Sequence, residues 1–214
     1  RHDNIVATYG LEVEDGIAAI VMELVEGQTL QALLEAQPRG FFEPAEIADW
    51  ASDIAAAVDY LHQQAKRIHR DLKPANVIVS HDGGARLMDF GISQRIQEGV
   101  TRHSKSGEAP PESSATLSYA SPQQLKGDPA APADDIYSFG ALLYDLLTGT
   151  PPFYRGAADL VRLQILNDPV IPLLKRRREL VTEGLNASTG QKVAPAVEKI
   201  VFACLAKKRE QRPT

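Results

Sequence analysis

The stretch His69-Arg70-Asp71-Leu72-Lys73-Pro74-Ala75-Asn76 decides how this chain is interpreted. Two short apolar runs follow it, Asn76-Val77-Ile78-Val79 and Arg86-Leu87-Met88, separated by the turn sequence His81-Asp82-Gly83-Gly84. Apolar runs on either side of a glycine-containing turn predict an antiparallel hairpin. Asp89-Phe90-Gly91 comes directly after the second run. The sequence therefore predicts that two polar motifs lie at the same end of one hairpin.

The polar side chains of these two motifs have complementary chemistry. Pairing of the strands brings the amide oxygen of Asn76 near the carboxylate of Asp89, and hard oxygen ligands of this kind suit Mg²⁺. Asp71, in the preceding loop, is placed to accept a proton from a hydroxyl nucleophile. Lys73 adds a positive charge that can neutralise a transferring phosphoryl group. A base, a cation and two metal ligands at one loop mouth predict phosphoryl transfer.

A family resemblance emerges when Ser121-Pro122-Gln123 and Asp135-Ile136-Tyr137-Ser138-Phe139-Gly140 are added to these motifs. The chain resembles a eukaryotic-type (Hanks-type) protein kinase over nearly its whole length, and Lys73 is similar to the lysine of the serine/threonine-specific branch. Its compact, alanine-rich sequence resembles the sequences of the bacterial members. The resemblance implies an α+β, protein-kinase-like fold, in which a mostly helical C-terminal lobe carries a remnant of the N-terminal β-sheet. It also implies an enzyme that uses ATP and Mg²⁺ to phosphorylate serine and threonine hydroxyls of protein substrates.

The resemblance assigns a role to each matching residue. Asp71 corresponds to the catalytic base, and Lys73 to the lysine that contacts the γ-phosphate. Asn76 and Asp89 correspond to the Mg²⁺ ligands, and Thr116 to the threonine that faces the base and the lysine. The implied nucleotide-binding residues are Met22, Glu23 and Val25 at the gatekeeper and hinge, Leu30 and Ile78 over the adenine ring, and again Lys73, Asn76 and Asp89.

Further residues resemble parts that regulate or support the catalytic loop. Arg70 resembles the arginine that receives a phosphorylated activation loop, and Asp135 the helix residue that holds the catalytic loop through its backbone. The polar stretch 94–114 is long and has almost no apolar anchor, which is typical of a functional loop. Its hydroxyl side chains are candidates for phosphorylation, with a solvated linker as the alternative. They are Thr101, Ser104, Ser106, Ser113 and Ser114.

The rest of the chain predicts a mostly helical domain. Residues 5–13 and 17–24 are β-leaning runs that predict a first hairpin. Apolar residues spaced by three and four predict helices after Gly27, from about Pro44, and over residues 136–147, 160–166 and 197–205. We expect residues 1–27 to form the last strands of the N-terminal lobe and the hinge, and residues 28–214 to form the C-terminal lobe.

Composition excludes several other classes of protein. The chain has 214 residues, of which 43% are hydrophobic and 24% charged, as is ordinary for a globular domain. A formal net charge of −5 gives no general attraction to nucleic acid or anionic lipid. A single cysteine forms no internal disulfide, and no apolar run is long enough to cross a membrane. We therefore expect protein substrates, no nucleic-acid partner, no membrane segment in this chain and a cytoplasmic location, with any membrane tether of the parent protein lying elsewhere.

The chain departs from the family pattern in two places. The glycine-rich loop, the strand lysine and its glutamate partner have no match, and the first six residues resemble the segment that follows them. We expect a fragment that is cut at both ends and has little or no activity by itself. Gln123 stands where kinases usually have a glutamate, which pairs with an arginine matching Arg212. Losing such a partner costs about 3–5 kcal/mol unless a neighbouring acid or solvent compensates.

Two alternative functions stay open. A pseudokinase would keep the fold as a nucleotide-binding or scaffolding module, although the presence of Asp71, Asn76 and Asp89 favours an active parent. A small-molecule kinase of the same fold is less favoured, because Thr116 and the Ser-Pro segment after it resemble a peptide-docking loop.

Several noticeable residues have ordinary structural explanations. We expect His69 to be a core histidine packed under Phe90, and Cys204 and Trp50 to be core residues. The basic run Lys175-Arg176-Arg177-Arg178 is interpreted as a solvated helical face, with guidance of an acidic partner as the alternative.

Overall fold

The computed structural model describes residues 1–14, 17–88 and 117–214. Near its N-terminus lies an antiparallel hairpin of β1 (Thr8–Glu14) and β2 (Ile17–Met22), in which Thr8 lies opposite Met22. The first predicted hairpin is therefore confirmed, with shorter strands than expected. It forms a two-stranded sheet of its own.

A second sheet joins the segment after the predicted hinge, residues 22–25, to the strands that follow the predicted catalytic loop, residues 69–76. Its strands are β3 (Gly27–Thr29), β4 (Val77–Ser80) and β5 (Ala85–Leu87), paired antiparallel in the order β3-β4-β5. A Cβ atom on Gly27 would lie 2.1 Å from the carbonyl oxygen of Val79, so glycine permits this close pairing. The predicted division after residue 27 falls inside β3, and it stays a prediction.

Helices make up about half of the described residues that follow. They are α1 (Leu30–Glu35), α2 (Ala48–Gln63), α3 (Pro122–Lys126), α4 (Pro132–Thr148), α5 (Ala158–Asn167), α6 (Leu173–Thr182) and α7 (Pro195–Cys204), with short 3₁₀ turns at Pro74–Asn76 and Arg209–Gln211. Each of the predicted helices is present.

Helix α2 begins later than the proline signal predicted. Pro44 lies in a turn closed by the Glu43 N–H, which donates to Glu46 Oε2 at 2.6 Å, and by the Glu46 N–H, which donates to the Glu43 carbonyl at 2.9 Å. The Glu43 side chain is itself held by the Gln191 N–H at 2.8 Å. These contacts tie residues 43–46 to a distant segment, and the helix starts at Ala48.

Helix α4 forms the centre of the core. Tyr137, Leu142 and Leu147 have no exposed surface and pack with apolar residues of the other helices and of the second sheet. The helix ends at Thr148 and is followed by the cap residue Gly149, which was predicted to stop it and has a φ of 90°. A Cβ atom there would lie 2.1 Å from the Gly40 carbonyl oxygen, so this position requires glycine for its conformation and for the contact.

The basic run on α6 is only partly solvated, which corrects the sequence interpretation. Its two middle residues, Arg176 and Arg177, are 4% and 0% exposed. Arg177 donates to the carbonyl oxygens of Leu147 at 2.6 Å and Phe42 at 3.0 Å, and it pairs with Glu43 at 3.1 Å. The α6 helix packs on α4, and this packing buries both side chains. Arg177 satisfies backbone carbonyls that need donors, and Arg176 donates to Tyr144 Oη at 3.4 Å and to Glu179 at 3.1 Å.

Three other side chains that were expected in the core are buried to different extents. Cys204 is 3% exposed. Trp50 is partly buried, packs edge-on against Phe42 and donates its indole N–H to the Gly83 carbonyl at 3.1 Å. His69 is 1% exposed, while Phe90 lies outside the described residues.

Candidate active site

Helix α4 holds the backbone of the catalytic loop through one buried carboxylate. Asp135 has no exposed surface and accepts hydrogen bonds from the backbone N–H groups of His69 and Arg70, both at 2.8 Å. The Nε2 atom of His62, at the end of α2, lies 2.7 Å from the same side chain. The role expected for Asp135 agrees with this geometry, because the two N–H groups would otherwise be buried without acceptors.

Arg70 has a backbone conformation that costs energy. Its φ is 72°, in the left-handed region, which is uncommon for a residue with a side chain. Its N–H is held by Asp135, and its carbonyl accepts from Gln124 Nε2 at 3.0 Å. Strain of this kind persists where the surroundings over-determine it, often beside a functional group. Here the next residue is Asp71.

The three predicted residues of the catalytic loop lie together. Lys73 Nζ is 3.0 Å from Asp71 Oδ2, and Asn76 Nδ2 donates to the same oxygen at 2.9 Å and to the Asp71 carbonyl at 2.7 Å. The side chains of Asp71 and Lys73 are 32% and 21% exposed, so both are accessible to a substrate. The cluster is an anchored carboxylate with a cation and an amide beside it.

The second strand pair ends beside this cluster, as the sequence predicted. The Met88 N–H donates to the Asn76 carbonyl at 2.9 Å, and the Met88 carbonyl lies 2.9 Å from His69 Nε2. His69 therefore bridges the catalytic loop and the end of β5. Asp89 and Thr116 lie outside the described residues, so their predicted roles stay predictions.

The predicted hinge follows β2 directly. The Glu23 N–H donates to the Ala7 carbonyl at 2.8 Å, and the Glu23 carboxylate pairs with Arg86 at 2.7 Å. The Arg86 hydrogen bond lowers the pKa of Glu23. No hydrogen bond within the described ranges uses the N–H of Val25. The Glu23 carbonyl and the Val25 N–H are compatible with the predicted pairing to a nucleotide base, and that pairing stays a prediction.

The two residues expected over the adenine ring differ in position. Ile78 is partly buried on β4, paired with Thr29 and Arg86, at the sheet that joins the hinge to the catalytic loop. Leu30 is the first residue of α1 and has no exposed surface, because its side chain packs in the hydrophobic core. The structure therefore does not place Leu30 at a ligand surface, and its predicted contact with the ring is not supported.

Asn76 suits one part of a magnesium site. Its Nδ2 faces Asp71, so its Oδ1 points to the other side of the amide, and amide oxygens are ligands that Mg²⁺ accepts. Within residues 1–14, 17–88 and 117–214, no group of three or more His, Cys, Asp or Glu could hold a metal ion. The described residues thus fit Mg²⁺ through one ligand, and the second predicted ligand, Asp89, lies outside them.

A cavity of about 840 Å³ adjoins the catalytic loop on the side of α1 and α4. Lys73, Glu35, Tyr119 and Asp145 contribute to its lining, together with residues after the end of α4. Asp145 is 3% exposed and accepts a hydrogen bond from Tyr119 Oη at 2.5 Å. Burial raises the pKa of the Asp145 carboxyl to about 7, and the Tyr119 hydrogen bond opposes that shift.

Asp145→Asn is expected to flatten the dependence of stability on pH. The folded domain keeps this carboxyl protonated up to about pH 7, whereas the unfolded chain ionises it near its ordinary value of 3.8. Because the pKa of Asp145 is raised in the folded state, the stabilisation that its protonated carboxyl provides is complete below about pH 4 and is lost as the pH rises through about 7. Wild-type stability should therefore fall relative to the variant by roughly 2–4 kcal/mol over that range.

Calorimetric unfolding at pH 5 and pH 8 measures this difference. Asp159→Asn, which changes an exposed carboxylate on α5, is the matched control and should follow the wild type. Parallel curves for wild type and Asp145→Asn would contradict the assignment.

Known proteins resemble this chain along its whole length. A family model described as the protein kinase domain matches residues 1–214. The chain belongs to the protein kinase family. It is 36% identical over 165 residues to serine/threonine-protein kinase PrkC of Bacillus subtilis, covering 77% of this chain and 24% of that protein. It is 33% identical over 217 residues to serine/threonine-protein kinase PknB of Mycobacterium leprae, covering 99% of this chain and 31% of that protein.

The kinase family confirms the fold predicted from the motifs. A relative in Corynebacterium glutamicum, named probable serine/threonine-protein kinase PknB, is 35% identical over 176 residues and covers 80% of this chain. This kinase chain spans about a quarter to a third of the length of these relatives. None of the helices in the described part of the chain has the length and apolar character that crossing a bilayer requires.

Sequence reasoning missed two residues that support the kinase loop. His62 contacts Asp135, and Gln124 contacts the Arg70 carbonyl. The pattern Ser-x-x-Gln at Ser121 to Gln124 is a capping-box signature, so it could have predicted the start of α3. Neither His62 nor Gln124 carries a local signal for its distant partner.

Proposed function

We propose that this protein is a serine/threonine kinase that transfers the γ-phosphoryl group of ATP to hydroxyl groups of protein substrates. The observation that carries the proposal is the cluster in which Asp71 Oδ2 lies 3.0 Å from Lys73 Nζ and 2.9 Å from Asn76 Nδ2. An accessible loop that holds a carboxylate beside a cation suits phosphoryl transfer. The carboxylate can accept the proton of the hydroxyl group, and the cation can balance the negative charge of the transferred group. The relatives named as serine/threonine-protein kinases support the same function.

Each residue of the cluster has one task in the proposed reaction. The substrate hydroxyl oxygen forms a bond to the γ-phosphorus, the bond from that phosphorus to the bridging oxygen breaks, and ADP leaves. Asp71 accepts the hydroxyl proton, and Asn76 holds Asp71 in the orientation that this needs. Lys73 compensates the charge of the transferring group, and Thr116 is proposed to orient the substrate beside both.

The nucleotide is proposed to bind between the hinge and β4. The Glu23 carbonyl would accept from the adenine amino group and the Val25 N–H would donate to the ring, with Met22 and Ile78 as apolar contacts. Asn76 Oδ1 and Asp89 would hold Mg²⁺, which when bound neutralises charge on the phosphate oxygens. Because ATP is the donor, we place the domain in the cytoplasm.

The test uses the full-length protein with γ-labelled ATP, Mg²⁺ and a mixture of protein substrates. We expect acid-stable label on serine and threonine of protein, and loss of that label when EDTA removes the metal. Binding of a fluorescent ATP analogue without label transfer would favour a scaffolding pseudokinase. Label confined to small molecules would favour a small-molecule kinase, and either result would contradict the proposal.

A further inference from the structure

Arg212 carries a buried charge whose hydrogen-bond acceptors are neutral. Its side chain has no exposed surface, and its guanidinium donates to the carbonyl oxygens of Ala206 and Ala133, both at 2.8 Å, and to Gln123 Oε1 at 2.7 Å. Burial lowers the pKa of Arg212, which reflects the cost of keeping this cation away from water. A nearby anion is needed to balance it.

Asp134 provides that anion. In the part of the chain that the structure describes, it is the one acidic residue with an oxygen within 4.0 Å of Arg212, at 3.9 Å from Oδ1 to Nη1. Asp134 has no exposed surface, and its charge raises the pKa of Arg212 against the effect of burial. It also pairs with Arg209 at 2.9 Å. Attraction across such a distance is several times stronger in a protein interior than in water.

The same carboxylate holds the start of α3. Asp134 Oδ1 accepts a hydrogen bond from Ser121 Oγ at 2.8 Å, and Ser121 is fully buried. Ser121 Oγ in turn accepts from the Gln124 N–H at 3.1 Å, and Gln124 Oε1 accepts from the Ser121 N–H at 2.9 Å. The position of the Gln124 side chain therefore depends on Ser121, and that of Ser121 on Asp134.

Gln124 completes the connection to the catalytic loop. Its Nε2 donates to the Arg70 carbonyl at 3.0 Å, while Asp135 accepts from the Arg70 N–H at 2.8 Å. Asp135 and Asp134, two adjacent carboxylates of α4, thus act on the N–H and on the carbonyl of Arg70, whose φ of 72° is strained. Asp135 does so directly, and Asp134 does so through Ser121 and Gln124.

We propose that Asp134 is a positioning residue of this kinase. Its carboxylate balances the buried charge of Arg212 and, through Ser121 and Gln124, holds Arg70 in the conformation that presents Asp71. The kinetic part of this inference rests on the proposed function, and the structural part does not. Asp134 also accepts the Ala131 N–H at 2.9 Å as a helix cap. A carboxylate introduced elsewhere beside Arg212 would restore the charge without restoring the cap, so the two roles can be separated.

The structural test is hydrogen exchange of the full-length protein with Asp134→Asn, which removes the charge and keeps one oxygen, whereas Ser121 uses Oδ1 of Asp134 and the cap uses Oδ2. We expect amides of residues 118–127 to exchange about tenfold faster or more, because breaking a buried pair leaves the other charge without compensation. Gln123→Glu in the same background places a carboxylate beside Arg212 and should restore near wild-type exchange. Asp128→Asn, an exposed carboxylate on the same segment, is the matched control and should change nothing.

Each outcome of this experiment decides the structural part. Unchanged exchange in Asp134→Asn, or no recovery with Gln123→Glu, overturns the charge role and leaves Asp134 as a helix cap. If Asp134→Asn does not fold, recovery of folded protein by Gln123→Glu is the supporting result, and failure to recover is the opposing one. None of these measurements requires turnover, so they stand even if the protein transfers no phosphate.

Ser121→Ala tests the connection to the loop without changing any charge. We expect faster exchange over residues 66–72 and a kcat about tenfold lower or more, with the KM for ATP unchanged, because the loop would present Asp71 less accurately. Gln123→Glu should not rescue this variant. Wild-type kcat and loop exchange in Ser121→Ala would overturn the connection through Gln124.

Discussion

Asp71→Asn is expected to lower phosphoryl transfer by about 10²–10⁴-fold, the range over which a positioned general base contributes to rate. The replacement keeps the size and one oxygen of the side chain, so contacts with Lys73 and Asn76 are retained in part. It removes the group that accepts the hydroxyl proton. The fold should remain, because Asp71 is partly exposed and the loop backbone is held by Asp135.

Initial rates of label transfer at saturating ATP measure this effect in the full-length protein. Asp59→Asn is the matched control, since Asp59 is an exposed carboxylate on α2, and its rate should equal that of the wild type. Circular dichroism and nucleotide binding should be unchanged in Asp71→Asn. Transfer at the wild-type rate would remove Asp71 from the role of base.

Arg177→Met is expected to cause a large loss of stability, although Arg177 lies outside the catalytic loop. Arg177 has no exposed surface, donates to the Leu147 and Phe42 carbonyls, and lies 3.8 Å from the centroid of the Phe41 ring. Its removal leaves those carbonyls without their donor and leaves Glu43 buried without its cation. Breaking a buried pair in this way costs about 3–5 kcal/mol.

For a domain of this size, that loss corresponds to a melting temperature lower by about 6–20 °C. Arg178→Met is the matched control, because it changes the exposed neighbour on the same helix and should shift the melting temperature little. Glu43→Gln added to Arg177→Met should recover part of the loss, since it removes the uncompensated carboxylate. Equal effects of Arg177→Met and Arg178→Met would contradict the buried role.

The catalytic-loop cluster could be predicted because its members are close along the chain. Asp71, Lys73 and Asn76 belong to one short loop, and a proline and a 3₁₀ turn limit how far apart they can move. The hairpin after the loop was predicted from its turn and its apolar runs, so the position of Met88 beside Asn76 followed. Local chemistry and local geometry agree at this point.

Residues whose roles depend on distant segments could not be predicted in the same way. Leu30 was expected at the nucleotide, but α1 turns it into the core. The middle of the basic run was expected in solvent, but α6 packs it against the end of α4. Helix α2 begins later than predicted, and Glu43, just before the expected start, is held by residues far along the chain.

The sequence by itself determined the family, the order of the two hairpins and of most helices, and the group of residues proposed to perform the chemistry. These properties depend on short motifs and on periodicity, which neighbouring residues specify. Only the tertiary structure decided which charges are buried and what balances them, as for Arg212 with Asp134 and Arg177 with Glu43. Burial and charge pairing arise where remote segments pack together, and the cost of a buried charge depends on those contacts rather than on sequence neighbours.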